Sequence, residues 1–384
     1  MNRKLKTVLC AALVLLLMFS CCCVSFADEP MPVTVKAKAA VLMDVGTGKV
    51  LMSMNADEKL YPASVTKIMT LLLVTEALDS GKITLGDTVT ASSSAASKGG
   101  SQIWLKAGET MTVNDLLKAT VIASANDACV ALGELVAGSE EGFVAMMNER
   151  AAELGMTNTH FENCTGLDAE GHLTTAYDVA VMSSALIKHS MIKDYSTVWM
   201  DSLRDGKSEL VNTNKLVRFY EGTTGLKTGT TATAKYCLSA TAQRGGLELV
   251  AVVMSADSTA DRFNGAKKLL DYGFANYNFS SVGAELAGDT AVRVTKGTEK
   301  SVKVSAGENL NVLLPKSVSG KLERTVNLSK SVTAPVKKGD ILGTVTISVN
   351  GEELGEIPLT AAEDVQRLAF ALSFGRILKG LFKL

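Results

Sequence analysis

The chain has 384 residues, 47% of them hydrophobic, which is long enough for more than one packed domain. Its 39 basic and 40 acidic side chains leave a net charge of -1, so there is no electrostatic footprint for nucleic acid. Aromatic residues make up only 5%, which also leaves little for a base-stacking surface.

The N-terminus has the layout of an export signal. Arg3, Lys4 and Lys6 precede an apolar run from Val8 to Phe19, and Ser25-Phe26-Ala27 places small residues where a signal peptidase reads. Residues 1–27 are therefore expected to be removed. The alternatives are an uncleaved anchor, for which the run is short, and lipidation of Cys21. Met18-Phe19-Ser20 before Cys21 lacks the leucine and small residue usual for lipidation. Four of the seven cysteines, Cys10, Cys21, Cys22 and Cys23, lie in this segment. The remaining Cys129, Cys164 and Cys237 cannot all pair internally and show no metal-binding spacing, so they are expected to be buried and unreactive.

From Ala39 to Met52 the chain reads as a hairpin around Gly46 and Gly48. A helix is expected from Ser64 to Asp79; Ile68, Leu71, Leu72 and Leu73 make it too apolar for a surface helix. Further helices are expected over Val113 to Ile122, Glu141 to Leu154 and Thr175 to His189, with Ser124-Ala125-Asn126 in a loop between helices. Lys227 to Thr230, Tyr236 to Ala242 and Leu247 to Met254 read as successive antiparallel strands, with Lys227 at a strand opening, and a helix from Asp261 to Phe274 follows. After Phe279 the composition shifts to short alternating runs of Val, Thr, Ser, Lys and Gly, with Asn350-Gly351 a strong hairpin turn. This predicts a small all-β domain over 285–360 behind a larger domain over 30–279. On a helical wheel of the last segment, 361–384, Phe370, Phe374, Ile377, Leu378, Leu381 and Phe382 share one face. Arg376, Lys379 and Lys383 lie opposite, the pattern of a helix lying in a membrane interface.

Three short segments carry chemistry together: Ser64-Val65-Thr66-Lys67, Ser124-Ala125-Asn126 and Lys227-Thr228-Gly229. Each is weak alone; in this order, each on a suitable element, they match a known trio of β-lactamases and penicillin-binding proteins. Residues three apart share a helix face, so the Lys67 amine can lie beside the Ser64 hydroxyl. A serine hydroxyl needs a neighbouring base to attack at neutral pH. A lysine serves only when burial or a second cation lowers its pKa, and Lys227 is a candidate second cation. The three histidines, His160, His172 and His189, have no context suggesting a Ser-His-Asp triad.

With these motifs the sequence resembles the low-molecular-mass penicillin-binding proteins, specifically the serine D-Ala-D-Ala carboxypeptidases. Tyr61 to Thr70 is similar to that family's nucleophile segment. Gly100-Ser101-Gln102 with Gly108-Glu109 resembles the stretch before its second motif, and Gly225 to Thr230 its third. The resemblance implies an α/β (α+β) transpeptidase-like domain, an antiparallel sheet flanked by helices, then a small β-rich domain and a terminal amphipathic anchor helix. It implies trimming of peptidoglycan stem peptides without a cofactor or metal, covalent capture by β-lactam antibiotics, and attachment to a membrane surface. It further implies that Ser64 is the nucleophile, Lys67 its base and Ser124 a proton relay. Asn126 would hold Lys67 and the substrate amide. Lys227, Thr228 and Gly229 would form the carboxylate side of the site. Thr230 would supply an oxyanion-hole N–H with Ser64, and Arg262 would steady the substrate carboxylate. The main rival is a class A-type β-lactamase, which needs an additional glutamate. No Glu-x-x-x-Asn segment stands between Asn126 and Lys227; Glu153 and Glu162 lack that context. A binding protein without activity is the second rival, against which every expected catalytic side chain is present.

Overall fold

The computed structural model describes residues 32–368 apart from 287, 289, 319 and 320. The export-signal segment and the expected amphipathic helix from Phe370 onward lie outside the described residues.

The larger domain is organised on a five-stranded antiparallel sheet. Strands β1 (Ala39–Asp44) and β2 (Val50–Met54) form the expected hairpin. A single 3-10 turn (Ala63–Thr66) leads into α1 (Lys67–Asp79), which buries ten of its thirteen residues, as its largely apolar run from Ile68 to Val74 favours. A short ribbon follows, β3 (Thr88–Thr90) with β4 (Thr110–Thr112), and then helix α2 (Val113–Ile122). Next come α3 (Asn126–Ala137), closed by Gly138 at φ 84°, α4 (Glu140–Glu153) and α5 (Ala176–Ile187). Helices α2, α4 and α5 start on Thr112, Ser139 and Thr175, whose hydroxyls accept backbone N–H groups of the first turn. A second ribbon, β5 (Met200–Leu203) with β6 (Ser208–Val211), precedes the meander β7 (Thr223–Thr231), β8 (Lys235–Arg244) and β9 (Leu247–Ala256), and α6 (Thr259–Asn276) ends the domain.

The sheet order is β2-β1-β9-β8-β7. Strand β9 explains how it sits. Val250, Val252 and Met254 belong to the core shared with α1 to α5, while Leu249, Ala251 and Val253 belong to the core under α6. Both faces are covered, so the strand is a continuous apolar run rather than an alternating one.

The second module begins without a linker. Strand β10 (Tyr277–Val282) continues directly from α6 and pairs with β13 (Leu310–Pro315), separated from it by β11 (Ala291–Thr295) and β12 (Ser301–Ala306). With β14 (Leu322–Leu328), β15 (Ser331–Thr333), β16 (Ile341–Val349) and β17 (Glu352–Ala361), six strands form a sheet of order β14-β16-β17-β12-β11-β15. Asn350 and Gly351 join β16 to β17 with φ of 50° and 81°, the left-handed pair a tight hairpin needs.

Several expectations shift. Lys227 lies in the middle of β7 rather than at its opening, because the strand already runs from Thr223 through a Thr-Thr-Gly stretch that reads as a turn. Helix α3 starts at Asn126, where a loop was expected; its cap, Ala125, makes no side-chain hydrogen bond and so leaves no signature. The β-module does not stop at Thr360. Val365 bridges Val336 and Arg367 bridges Gly297, and Val365 is buried, so packed structure reaches Arg367 and an anchor segment cannot begin at 361.

Gly273 on α6 shows how closely helix and sheet approach: a Cβ there would lie 2.4 Å from Leu249 Cδ1 and 3.2 Å from Leu42 Cδ2. Alanine gains about 1 kcal/mol of helix propensity but overpacks this layer at a cost of about 1–3 kcal/mol. Gly273→Ala is expected to lower the urea-unfolding midpoint; a raised midpoint would show that the layer yields freely.

Candidate active site

Ser64 lies half-buried in the 3-10 turn, and Lys67 follows as the first residue of α1, fully buried. The Lys67 Nζ reaches three oxygens: Ser64 Oγ at 3.0 Å, Asn126 Oδ1 at 2.6 Å and the Thr165 carbonyl at 2.7 Å. The Asn126 amide is oriented by its other end, which donates from Nδ2 to the Gly99 carbonyl at 2.6 Å, so Oδ1 faces the lysine. Two of the three partners only accept. A neutral amine there directs two N–H bonds at Asn126 and Thr165 and leaves its lone pair for the Ser64 O–H.

Burial holds the Lys67 amine below the usual lysine value; Cys129, Cys164 and Asp127 act in the opposite sense. Lys227 is buried too, and burial, reinforced by the charges of Lys67 and Arg262, pushes its amine well down. Of the two amines Lys227 is held down the more strongly, and burial rather than Lys227 is the cause of the Lys67 shift. The only polar contact of the Lys227 amine is a long one, 3.5 Å to the Thr228 carbonyl, and among the described residues no carboxylate pairs with it. A buried amine in this state gains most from an incoming anion.

The other site residues converge on the same place. Ser124 links α2 to α3 at φ 63°, and its hydroxyl is buried without a hydrogen-bond partner among the described residues. Thr228 donates to Thr213 Oγ1 at 2.8 Å, which braces β7 against the segment after β6. Arg262 reaches the site through Thr230: its Nη1 donates to Thr230 Oγ1 at 3.0 Å and to the Gly229 carbonyl at 3.1 Å. Gly229 itself supplies clearance. A Cβ there would lie 2.8 Å from the Pro62 carbonyl and 3.0 Å from the Ser64 nitrogen, so only glycine lets β7 lie against the nucleophile turn.

The loop between α4 and α5 supplies residues that the motifs do not reveal. Asn163 Oδ1 accepts from the backbone N–H groups of Thr165 and Gly166 and from the Thr165 hydroxyl, which fixes the loop tip. Gly166 at φ 85° sits so tightly against Ala63 that a Cβ would overlap its carbonyl. Consecutive carbonyls of this loop then accept from α1, Cys164 from Thr70 and Thr165 from Lys67. Where a β-lactamase would bring a glutamate to the nucleophile, this loop brings a backbone carbonyl; Glu162 is exposed. Asp127, buried beside Asn126, accepts from the Ile103 and Leu105 N–H groups and pins the 99–105 loop whose Ser101 carbonyl accepts from the Asn126 N–H. A carbonyl acceptor has no side-chain signature, which is why Thr165 escapes a reading by motif; the Asn163-x-x-Gly166 turn was the available signal.

Residues 25–258 match the family described as D-alanyl-D-alanine carboxypeptidase, and residues 274–367 match the C-terminal domain of penicillin-binding protein 5. The chain is 44% identical over 339 residues to D-alanyl-D-alanine carboxypeptidase DacF of Bacillus subtilis, covering 87% of each. It is 40% identical to DacC of Escherichia coli, covering 90% of this chain and 87% of that one. Among solved structures, penicillin-binding protein 5 of Haemophilus influenzae superposes with a TM-score of 0.77 at 30% identity, covering 88% of this chain and 100% of that one. The ampicillin-bound penicillin-binding protein D2 of Listeria monocytogenes gives 0.58 at 32% identity, covering 63% and 99%.

His172 ties the loop to the nucleophile turn. Glu162 N–H donates to its Nδ1 at 3.0 Å, so the neutral ring carries its proton on Nε2 and donates to Thr66 Oγ1 at 2.9 Å. Burial, with His160 nearby, pushes its pKa down from 6.5 to about 4. The unfolded chain therefore binds a proton that the folded one refuses between these values. Stability is fully present above pH 6.5 and falls as pH drops toward 4, by up to about 3 kcal/mol for this group. His172→Gln is expected to flatten that part of the stability-against-pH curve, measured by urea unfolding from pH 7 to 4; parallel curves for both proteins would contradict it.

Proposed function

The chain belongs to the D-alanyl-D-alanine carboxypeptidase family, and from that premise we propose how its residues divide the work. The enzyme hydrolyses the terminal D-Ala-D-Ala bond of peptidoglycan stem peptides. Ser64 Oγ attacks the carbonyl between the two D-alanines while its proton passes to the neutral Lys67 amine. Negative charge develops on the carbonyl oxygen, where the Ser64 and Thr230 N–H groups face it. The C–N bond breaks as Ser124 relays a proton to the departing D-alanine nitrogen, leaving an acyl group on Ser64. Water then attacks that ester, releasing the shortened peptide and restoring the serine. Lys227 and Thr228 hold the terminal carboxylate, Arg262 fixes Thr230 from behind, and Asn126 holds both Lys67 and the substrate amide. The same attack on a β-lactam opens its ring and leaves a covalent adduct.

The observation that carries this assignment is the placement of Lys67 between two acceptor-only oxygens and the Ser64 hydroxyl. Among the described residues no carboxylate contacts Ser64 or Lys67 in the way a class A β-lactamase needs to activate water.

Residues 1–27 act, in this reading, as a cleaved export signal, and the basic amphipathic stretch beyond Leu368 holds the enzyme on the outer face of the membrane. Its support is the sequence pattern; among the described residues no helix is long and apolar enough to cross a membrane. The catalytic domain spans residues 30–279, and the β-module separates it from the tail.

Ser64→Ala is expected to abolish labelling by fluorescent penicillin while leaving thermal unfolding nearly unchanged; undiminished labelling of the folded variant would overturn the nucleophile. Lys67→Arg should slow acylation about as much as Lys67→Ala, by 100-fold or more, because a guanidinium cannot give up its proton to become a base. Acylation of Lys67→Arg near the wild-type rate would make Lys67 an electrostatic residue only.

A mature chain ending at Leu368 should cleave small D-Ala-D-Ala peptides as well as the full-length enzyme. It should stay in solution when the full-length enzyme sediments with anionic vesicles, the latter more weakly at high salt. Equal sedimentation would move the attachment elsewhere.

A further inference from the structure

Near Lys67 stand two cysteines that the hydrolytic cycle does not use. Cys129 lies one turn after Asn126 on α3, and Cys164 immediately precedes Thr165, so each is tied to one of the two acceptors of the Lys67 amine. Both are fully buried in one core. Cys129 Sγ donates to the Cys164 carbonyl at 3.2 Å, the same carbonyl that accepts from Thr70 at 2.7 Å. The third cysteine of the folded domain, Cys237, lies elsewhere, against Ala234 and Ser255.

We propose that Cys129 and Cys164 are an oxidisable pair beside the two neutral acceptors of the Lys67 amine, closed to one disulfide by a small disulfide oxidant, and that closing it retunes acylation at Ser64. The proposal rests on Lys67 being the base. In the exchange, Cys129 as thiolate attacks one sulfur of R–S–S–R, and a mixed disulfide forms as R–S⁻ leaves. Cys164 then attacks the Cys129 sulfur and expels the second R–S⁻. One S–S bond is made in the protein and one broken in the oxidant; two electrons pass to the oxidant, and the two thiol protons end on two R–SH.

The groups facing the pair favour this order of events. For Cys129, burial disfavours the thiolate, but Cys164 and the charge of Lys67 outweigh it and bring the thiol below its ordinary value. Cys164 is pushed well up, by Cys129 first and burial second, and Glu140 on α4 adds to it. Cys164 is 3.6 Å from Glu140, which itself pairs with Lys98. The other charged groups around Lys67 are Asp127 on α3 and Lys227 on β7.

The consequence is geometric. Closing the bond draws Cys129 and Cys164 together, and with them Asn126, one turn before Cys129, and the Thr165 carbonyl, next to Cys164. Both neutral acceptors of the Lys67 amine shift, so acylation at Ser64 should slow.

The test uses the full-length protein, oxidised with glutathione disulfide or kept in dithiothreitol, then alkylated, digested and mapped by mass spectrometry. Because both thiols are buried, oxidation is repeated at the highest urea concentration that preserves penicillin labelling. The expected result is a Cys129–Cys164 linked peptide and penicillin acylation slowed about threefold or more, reversed by dithiothreitol. Cys129→Ser should not respond to the oxidant. Alkyl label on both cysteines after oxidation in both conditions, or a linked pair containing Cys237, would overturn the pairing. A linked pair with an unchanged acylation rate would overturn its effect on the Lys67 site. Labelling of the reduced protein at Ser64, mapped in the same digest, tests the underlying catalytic reading separately.

Discussion

The arrangement of the whole catalytic domain depends on keeping one amine dry. Lys67 has no exposed surface, and burial is the largest influence on its proton affinity. A buried lysine with no acceptors would be merely costly, and one paired with a carboxylate would stay charged. Here the acceptors are a side-chain amide and a backbone carbonyl, both neutral. They satisfy the amine in either protonation state and do not hold it in the charged one. The polar partners come from three separate pieces of chain: the turn before α1, the start of α3 and the loop between α4 and α5. Much of the fold can be understood as the means of bringing those pieces together. The apolar length of α1 places its first residue deep in the protein. Asn163 and Gly166 fold the loop tip onto the turn, and β7 closes the other side by passing at glycine distance from Ser64.

This dependence explains which parts were legible in the sequence. Strands β8 and β9 and helices α1, α2, α5 and α6 announce themselves through long apolar runs or capping residues, and three motifs mark chemistry through side chains. Helix α3 was missed because Ala125 and the left-handed Ser124 leave no capping pattern. The β3–β4 and β5–β6 ribbons were missed because three- and four-residue strands are shorter than any period can show. Thr165 was missed for a different reason. Its contribution is a main-chain carbonyl, present at every position, and only the folded loop gives it a place. Arg262 was expected to steady the substrate carboxylate; in the structure it contacts Thr230 and the Gly229 carbonyl and so braces β7.

Ser124 illustrates how the site keeps a hydroxyl ready. A non-glycine residue at φ 63° is disfavoured, and a buried hydroxyl without a partner adds a further cost. Neighbouring bonds hold it there. The Ala125 N–H donates to the Ala119 carbonyl and the Asn126 N–H to the Ser101 carbonyl, so the backbone on its C-terminal side is tied down. Thr213 N–H donates to the Ile122 carbonyl and fixes the preceding side as well. Among the described residues, the Ser124 hydroxyl and the buried Lys227 amine are thus both held by structure that leaves them largely without partners.

Among the described residues, none of the hydrogen bonds to Lys67, Asn126 or Lys227 comes from the β-module. Its relation to the catalytic domain is mechanical: β10 grows out of α6 without a flexible link, and Leu313 of β13 packs into the core beneath that helix. Lys316 adds two bonds to the end of α6, from its N–H to the Asn276 carbonyl and from its Nζ to the Phe274 carbonyl. A module joined this way transmits orientation, because a rigid strand continuing from a helix leaves few backbone angles free. If the tail beyond Leu368 lies on a membrane, the β-module sets the height and angle at which Ser64 faces the wall above it. Selection on that module would then act on the continuity of the α6–β10 junction and on the hydrogen bonds of Lys316 rather than on any catalytic side chain.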